Sequence, residues 1–126
     1  MRVAKKQKAN SEFTDSKVLF LVLKTEPFKV MVTGEKNEEY RTIGNWMNQR
    51  LFNKHGCKRE YDYVKFVLGM DANSPFFICK FNGIKLVKHI RKKYSSGFEV
   101  NFDDEHYGII LGEIVSKGNL NHRFLR

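Results

Sequence analysis

Residues 18–42, VLFLVLKTEPFKVMVTGEKNEEYRT, set the architecture, because an apolar run, a helix signal and a polar strand follow one another closely. The apolar run from Val18 to Leu23 is rich in β-branched, aromatic and leucine side chains. It has the length of a strand and is too short for a convincing helix. We therefore predict a buried first strand at this point.

The segment after this strand carries signals for the start and the end of a helix. Residues 25–27, Thr-Glu-Pro, predict the start, because proline suits the first helical position and disfavours helix in the residue before it. Phe28, Met31 and Val32 share one face of the predicted helix. Gly34 is placed for a left-handed cap that ends it.

A short polar strand is expected over residues 38–42, beyond the glycine turn. Side chains alternate along a strand, so Glu39 and Arg41 should project to one face and Tyr40 to the other. With Lys36 near by, that face gathers an ammonium, a carboxylate and a guanidinium. Such a cluster suits a phosphate or a polar base edge. The alternative is a surface ion pair worth 0 to about 1 kcal/mol.

The rest of the chain alternates between apolar strand-like runs and polar connections. The pattern over residues 61–68 predicts a strand but does not settle which side faces inward. The predicted order of about five or six strands, with two helices in the N-terminal half, indicates an α+β fold, a small β-barrel. The later predicted elements are a helix from Trp46 to about Lys54 capped by Asn45 and ended by Gly56, a strand over Tyr61–Leu68, one or two strands within Phe76–Val87 with a turn at Asn82-Gly83, and a last strand over Tyr107–Val115.

Length and composition indicate one domain with a cationic surface. The 126 residues carry a formal charge of +9, which favours approach to polyanions. We expect a flexible basic arm over residues 1–16, the domain over 17–116 and a basic tail over 117–126. No apolar run is long enough to cross a bilayer, and the only cysteines, Cys57 and Cys79, are expected as free thiols. We therefore expect a cytoplasmic protein that binds no membrane.

The segment GEKNEEYR, residues 34–41, matches the pattern G-x-K-x-x-E-x-R and thereby resembles the signature of the ASCH family. The runs YVKFVLG and YGIILGEI also resemble that family, so the likeness covers residues 18–116, of the small stand-alone bacterial or phage type. This resemblance implies a PUA-like β-barrel with a ligand cleft beside the first helix, and it implies RNA binding. The residues that it places in the cleft are Gly34, Lys36, Glu39 and Arg41.

The predicted partner is RNA or a modified nucleoside or nucleotide, bound without a cofactor. Trp46 is expected either in the core, since tryptophan is usually largely buried, or as a stacking platform at the cleft mouth. Arg50, one turn further along the helix, is predicted as an additional ligand contact. A domain that acts only through protein contacts is a further alternative, and the sequence leaves the oligomeric state open.

A hydrolase is the enzymatic alternative, since some ASCH relatives remove the acetyl group from acetylated cytidine and one is described as a ribonuclease. The resemblance then makes Lys36 and Glu39 the catalytic candidates. Glu39 stands where the amidohydrolases carry threonine, so their hydroxyl nucleophile is missing. A second acid would be Asp62 or Glu113, with no preference between them.

Residues 85–93, KLVKHIRKK, form the most cationic run expected on the folded surface, although acidic residues over 99–105 follow it. Unpaired bases stacked on Tyr94 and Phe98 would suit such a surface. The histidines and cysteines show no recognised zinc spacing, so no metal site is predicted.

Overall fold

The computed structural model describes residues 17–120. The predicted arm over 1–16 and residues 121–126 of the predicted tail lie outside the described residues. The elements are β1 (Val18–Leu23), α1 (Thr25–Val32), β2 (Glu38–Thr42), α2 (Asn45–Leu51), β3 (Tyr63–Leu68), β4 (Phe76–Val87), β5 (Ile90–Lys93), β6 (Glu99–Phe102) and β7 (His106–Gly118).

Five of the strands form one curled sheet, a half-barrel with the order β1-β3-β4-β7-β2. β1 and β3 are parallel, and the other pairs are antiparallel. A parallel pair needs a crossover connection. Here α1, β2 and α2 provide it, while β2 pairs with β7 at the far side of the sheet. β1 and β2 are therefore the two edge strands. The predicted mixed fold of mostly strands with two early helices is confirmed at this level.

The core fills the concave side of the curled sheet. Leu19, Leu21 and Leu23 alternate inward along β1, and Phe28 of α1 packs edge-to-face on Phe77 of β4 with ring centroids 5.3 Å apart. Val64 and Phe66 are also buried, so the face of β3 that carries them is directed inward. The sequence pattern had left open which face of this strand is buried. Each large apolar side chain buried in this way contributes about 1.5–3 kcal/mol.

The predicted turn at Asn82-Gly83 is wrong. β4 continues through these residues as a single strand of 12 residues, and its pairing register with β7 shifts between Phe81 and Ile84. Gly83 has φ +110°, a conformation that glycine supplies both to tight hairpins and to β-bulges. The same residue pair therefore lies within a continuous strand here, because β7 pairs with β4 both before and after it.

A hairpin that the sequence did not predict lies outside the main sheet. β5 and β6 pair as a separate two-stranded sheet, so the described residues contain seven strands rather than five or six. The loop that joins the two strands is docked by Glu35, whose carboxylate accepts hydrogen bonds from the N–H and the Oγ of Ser95, both at 2.7 Å. β7 runs from His106 to Gly118, whereas the predicted last strand was Tyr107–Val115.

The helix ends differ in detail from the predictions. Pro27 is the third residue of α1 rather than the first, which is tolerated because N–H groups of the first turn have no helical partner. Gly44 occupies the N-cap of α2, so Asn45 is the first helical residue and not the cap, and the helix ends at Leu51 instead of Lys54. The left-handed conformation predicted for Gly34 is confirmed, with φ +90°. Neither helix within residues 17–120 is long and apolar enough to span a bilayer.

Candidate functional site

Lys36 is directed into the protein. Its Nζ donates to Glu39 Oε1 at 2.9 Å and to the Glu38 carbonyl oxygen at 2.6 Å, and it contacts Met31 Sδ at 3.6 Å. An ammonium group has three N–H donors, so these three contacts use all of them. The residue is only 3% exposed. The ammonium therefore anchors the loop after α1 to β2 rather than facing a ligand.

Glu39 and Arg41 continue this network to the opposite edge of the sheet. Glu39 Oε2 accepts from Arg41 Nε at 2.7 Å, and Arg41 Nη2 donates to the carbonyl oxygen of Val22 at 2.9 Å. Because Val22 belongs to β1 and Arg41 to β2, the guanidinium links the two edge strands. The alternation predicted for residues 38–42 thus brings the three charged groups together, but they bind one another and the backbone.

Gly34 and Lys36 line a cavity of about 540 Å³ between the end of α1 and the sheet. Glu113 lies on the same cavity, although its side chain is exposed and pairs with Lys80 at 3.5 Å. Asp62, the other candidate acid, instead accepts a hydrogen bond from the backbone N–H of Lys17 at 3.0 Å. Of the two predicted acids, only Glu113 therefore shares a cavity with Lys36.

Trp46 and Arg50 line a different cavity, of about 520 Å³, which we call the Trp46 cavity. Trp46 is 52% exposed, so the preferred prediction that it belongs to the core is wrong. The inward face of α2 carries Met47 and Leu51, four residues apart, and a neighbouring residue points about 100° away from that face. The guanidinium carbon of Arg50 lies 3.5 Å from the centre of a Trp46 ring.

The outward face of edge strand β1 forms the apolar wall of the Trp46 cavity. Phe20 and Val22 point away from the core because they alternate with the buried leucines, and both are exposed. Met70 and Asp71 lie on the same cavity, in the loop after β3. An exposed indole, a phenyl ring and a guanidinium around one cavity suit a flat ligand that has an apolar face and polar edges.

The predicted cationic run over residues 85–93 is largely neutralised. Lys85 Nζ lies 2.9 Å from Glu38 Oε2, and Arg91 Nη2 lies 2.6 Å from Asp103 Oδ1. Lys92 and Lys93 each lie 4.0 Å from a glutamate as well, so four of the five Lys and Arg side chains of this run have an acidic neighbour. Tyr94 and Phe98 are both partly buried against the core, and their rings stack on each other with centroids 6.1 Å apart.

A group of cations without acidic neighbours in the described part of the chain lies beside the Trp46 cavity. Within residues 17–120, no carboxylate lies within 4.0 Å of the cationic groups on α2 and the loop after it. The sequence held a signal for this surface, since residues 50–59, RLFNKHGCKR, contain four cations and no acid. The four side chains are Arg50, Lys54, Lys58 and Arg59.

Burial and hydrogen bonding change the ionisation of groups beside the network. Burial on its own would raise the pKa of Glu38, but hydrogen bonds from Lys85 and Tyr40 bring the pKa below its ordinary value. Burial also raises the pKa of the Cys79 thiol to about 12, so this cysteine is an inert core residue. Cys57 and Cys79 are both free thiols, as predicted.

Comparisons of the chain with protein-family models, with curated proteins and with solved structures found no match. Among residues 17–120, no three His, Cys, Asp or Glu side chains are grouped as metal ligands.

Proposed function

We propose that this protein is an RNA- or nucleotide-binding domain of the ASCH type with a PUA-like barrel, and that it holds a base in the Trp46 cavity. The observation that carries the proposal is the half-exposed Trp46, with the Arg50 guanidinium at 3.5 Å, at an open cavity walled by Phe20 and Val22. Aromatic rings and arginine planes are the groups on which unpaired bases stack.

The signature residues have a supporting role in this proposal. Arg41 holds the carbonyl of Val22, whose side chain lines the Trp46 cavity. Lys36 and Glu39 hold Arg41 in turn, and Gly34 supplies the left-handed turn before them. The signature then fixes the position of a cavity wall, while Trp46 and Arg50 contact the ligand.

Binding is better supported than hydrolysis. A catalytic Lys36 or Glu39 would have to reach a substrate atom, and general acid–base catalysis requires hydrogen-bond distance to the reacting group. Both residues are less than 10% exposed and are bonded to each other. Catalysis at this pair would therefore require breaking a buried ion pair first.

Intrinsic fluorescence tests the proposal, because Trp46 is the only tryptophan in the chain. Titration with nucleoside monophosphates and with a single-stranded RNA decamer at low salt should quench it. Trp46→Ala should weaken RNA binding about 5- to 150-fold, measured by anisotropy of labelled RNA, since one stacked base contributes about 1–3 kcal/mol.

Leu86→Ala is the matched control, because Leu86 is as exposed as Trp46 but does not line the cavity. It should bind as the wild type does. Both variants should keep the wild-type melting temperature within a few degrees, because exposed side chains contribute little to stability. Absence of quenching at low salt, or equal RNA affinity of Trp46→Ala and the wild type, would reject the proposal.

A further inference from the structure

Two further cavities border the Trp46 cavity. A second cavity, of about 570 Å³, runs beside α2 and shares Arg50 with the Trp46 cavity. A third, of about 520 Å³, shares Val18 and Tyr61 with the Trp46 cavity. The second and third cavities also share Asn53 and Arg59. The three cavities therefore border one another on this side of the protein.

Cationic side chains line this surface. Lys54 and Arg59 lie on the second cavity, and Lys58, Arg59 and Lys17 lie on the third. Glu60 is the one acid that lines either of these two cavities in residues 17–120. The excess of positive charge here contrasts with the neutralised pairs on β4 and β5, so an extended anion finds its unpaired counter-charges at this surface.

The loop that carries these cations is ordered. The Asn53 side-chain oxygen accepts hydrogen bonds from the backbone N–H groups of His55 at 2.9 Å and of Cys57 at 3.0 Å. Phe52 and Lys58 form a β-bridge, and Arg59 Nε donates to the Gln49 carbonyl oxygen at 3.0 Å. A preformed loop loses little backbone entropy when it binds a ligand. The cations are therefore displayed on a rigid support.

A free nucleotide would leave most of this surface unused. Its phosphate can contact only the cations nearest the base, whereas Lys54, Lys58 and Arg59 extend across two further cavities. A duplex would bury its bases in the stack and deny them to Trp46. The remaining ligand is a single strand that stacks one base and tracks its phosphates along the cationic loop.

We propose that the ligand is single-stranded nucleic acid several nucleotides long, with its backbone lying across the second and third cavities. This inference rests on the proposed function, because the stacked base in the Trp46 cavity fixes the strand's position. The contribution of Lys54 and Lys58 is electrostatic and independent of base sequence.

A double substitution with a charge-matched control tests the inference in the full-length chain. Lys54→Ala, Lys58→Ala removes two exposed cations whose side chains make no ion pair or hydrogen bond within residues 17–120, and the β-bridge at Lys58 involves the backbone. Lys92→Ala, Lys93→Ala removes the same charge from β5, where Glu38 and Glu99 lie 4.0 Å away. Four probes are used: uridine monophosphate, a single-stranded RNA decamer, a single-stranded DNA decamer and a double-stranded decamer.

The wild type should bind the single-stranded decamer at least about tenfold more tightly than the monophosphate at low salt. In Lys54→Ala, Lys58→Ala the slope of log affinity against log salt should fall by about 1.4, since each lost contact on a single strand accounts for about 0.7. Monophosphate affinity should stay unchanged in this variant. The β5 variant should keep the wild-type slope, and the duplex should bind weakly. The deoxy decamer shows whether the strand must be RNA.

Each contrary outcome has a separate meaning. If the monophosphate binds as tightly as the decamer, or the duplex as tightly as the single strand, the inference is wrong while the proposed function stands. If the salt slope falls by the same amount in both double variants, the net charge of the protein and not this surface determines the salt dependence. The inference is then again wrong. If neither the monophosphate nor any decamer binds, the proposed function fails as well.

Discussion

At the scale of single residues, the charged groups of residues 34–41 are partners of one another and of the backbone. Lys36 and Glu39 form a buried ion pair, and Arg41 extends it to the opposite edge strand. A buried pair can contribute little net stability, because removing two charges from water is costly. Removing only one partner lowers stability strongly, because the other charge is left buried and uncompensated.

Glu39→Ala should lower the free energy of unfolding by about 3–5 kcal/mol, because it leaves the Lys36 ammonium buried without its carboxylate. Chemical denaturation followed by circular dichroism measures this change. Glu113→Ala is the control, because it breaks the exposed pair with Lys80 and should cost 0 to about 1 kcal/mol. Similar losses of unfolding free energy in the two variants would show that the buried network stabilises the fold no more than an exposed ion pair does.

At the scale of elements, α1 begins without a side-chain cap. Lys24 occupies the N-cap position with extended backbone angles, φ −82° and ψ 171°, and its side chain makes no capping hydrogen bond. The N–H groups of the first turn lack helical partners, and a short hydroxyl or carboxylate at the N-cap normally accepts from them. The backbone geometry for a cap is therefore present, and the accepting atom is missing.

Lys24→Ser should raise the free energy of unfolding by about 1 kcal/mol, because the serine hydroxyl can accept from the first turn of α1. The comparison is Lys29→Ser, which removes a cation from the last turn and should lower stability by about 0.3–1 kcal/mol. Thermal melting of the two variants should therefore shift in opposite directions. A lower melting temperature for Lys24→Ser would contradict this account of the helix start.

At the scale of the whole molecule, two carboxylates dock the β5–β6 hairpin, and a third, directly after β6, binds β5. Glu35 docks Ser95 in the hairpin loop, Glu38 lies 4.0 Å from Lys92 of β5, and Asp103 binds Arg91 of the same strand. Hydrogen bonds from Ser95 lower the pKa of Glu35, and those from Arg91 and His89 lower the pKa of Asp103. The net shift for Glu38 is also downward.

Acid should therefore release the hairpin before the core of the five-stranded sheet unfolds. A carboxylate with a lowered folded-state pKa stabilises the fold above its unfolded pKa, and this contribution is lost as the pH falls through the folded value. The ordinary values are 4.5 for the glutamates and 3.8 for the aspartate, so the loss begins near 4.5 and continues below it. Hydrogen exchange of β5 and β6 amides should accelerate over this range, while β3 and β4 stay protected. Equal acceleration in all four strands would contradict the prediction.

Local signals in the sequence were sufficient for the first part of the fold. The apolar run of β1, the proline in the first turn of α1 and the glycine at its end are short-range effects, and the structure confirms these elements. The alternation over residues 38–42 also predicted correctly that Glu39 and Arg41 share a face. Each of these features depends on neighbours only a few residues away, so no knowledge of the packing was needed.

The remaining features depend on partners far along the chain. Asn82-Gly83 became a bulge because β7 pairs with β4 both before and after these two residues, and Trp46 faces solvent because Met47 and Leu51 orient α2 toward the core. The cationic run over 85–93 is neutralised largely by carboxylates brought to it by folding, whereas the cations over 50–59 keep no such partners among residues 17–120. Which charges meet and which side chains stay exposed is a property of long-range packing. Local sequence patterns do not specify this packing, because its partners lie far apart along the chain.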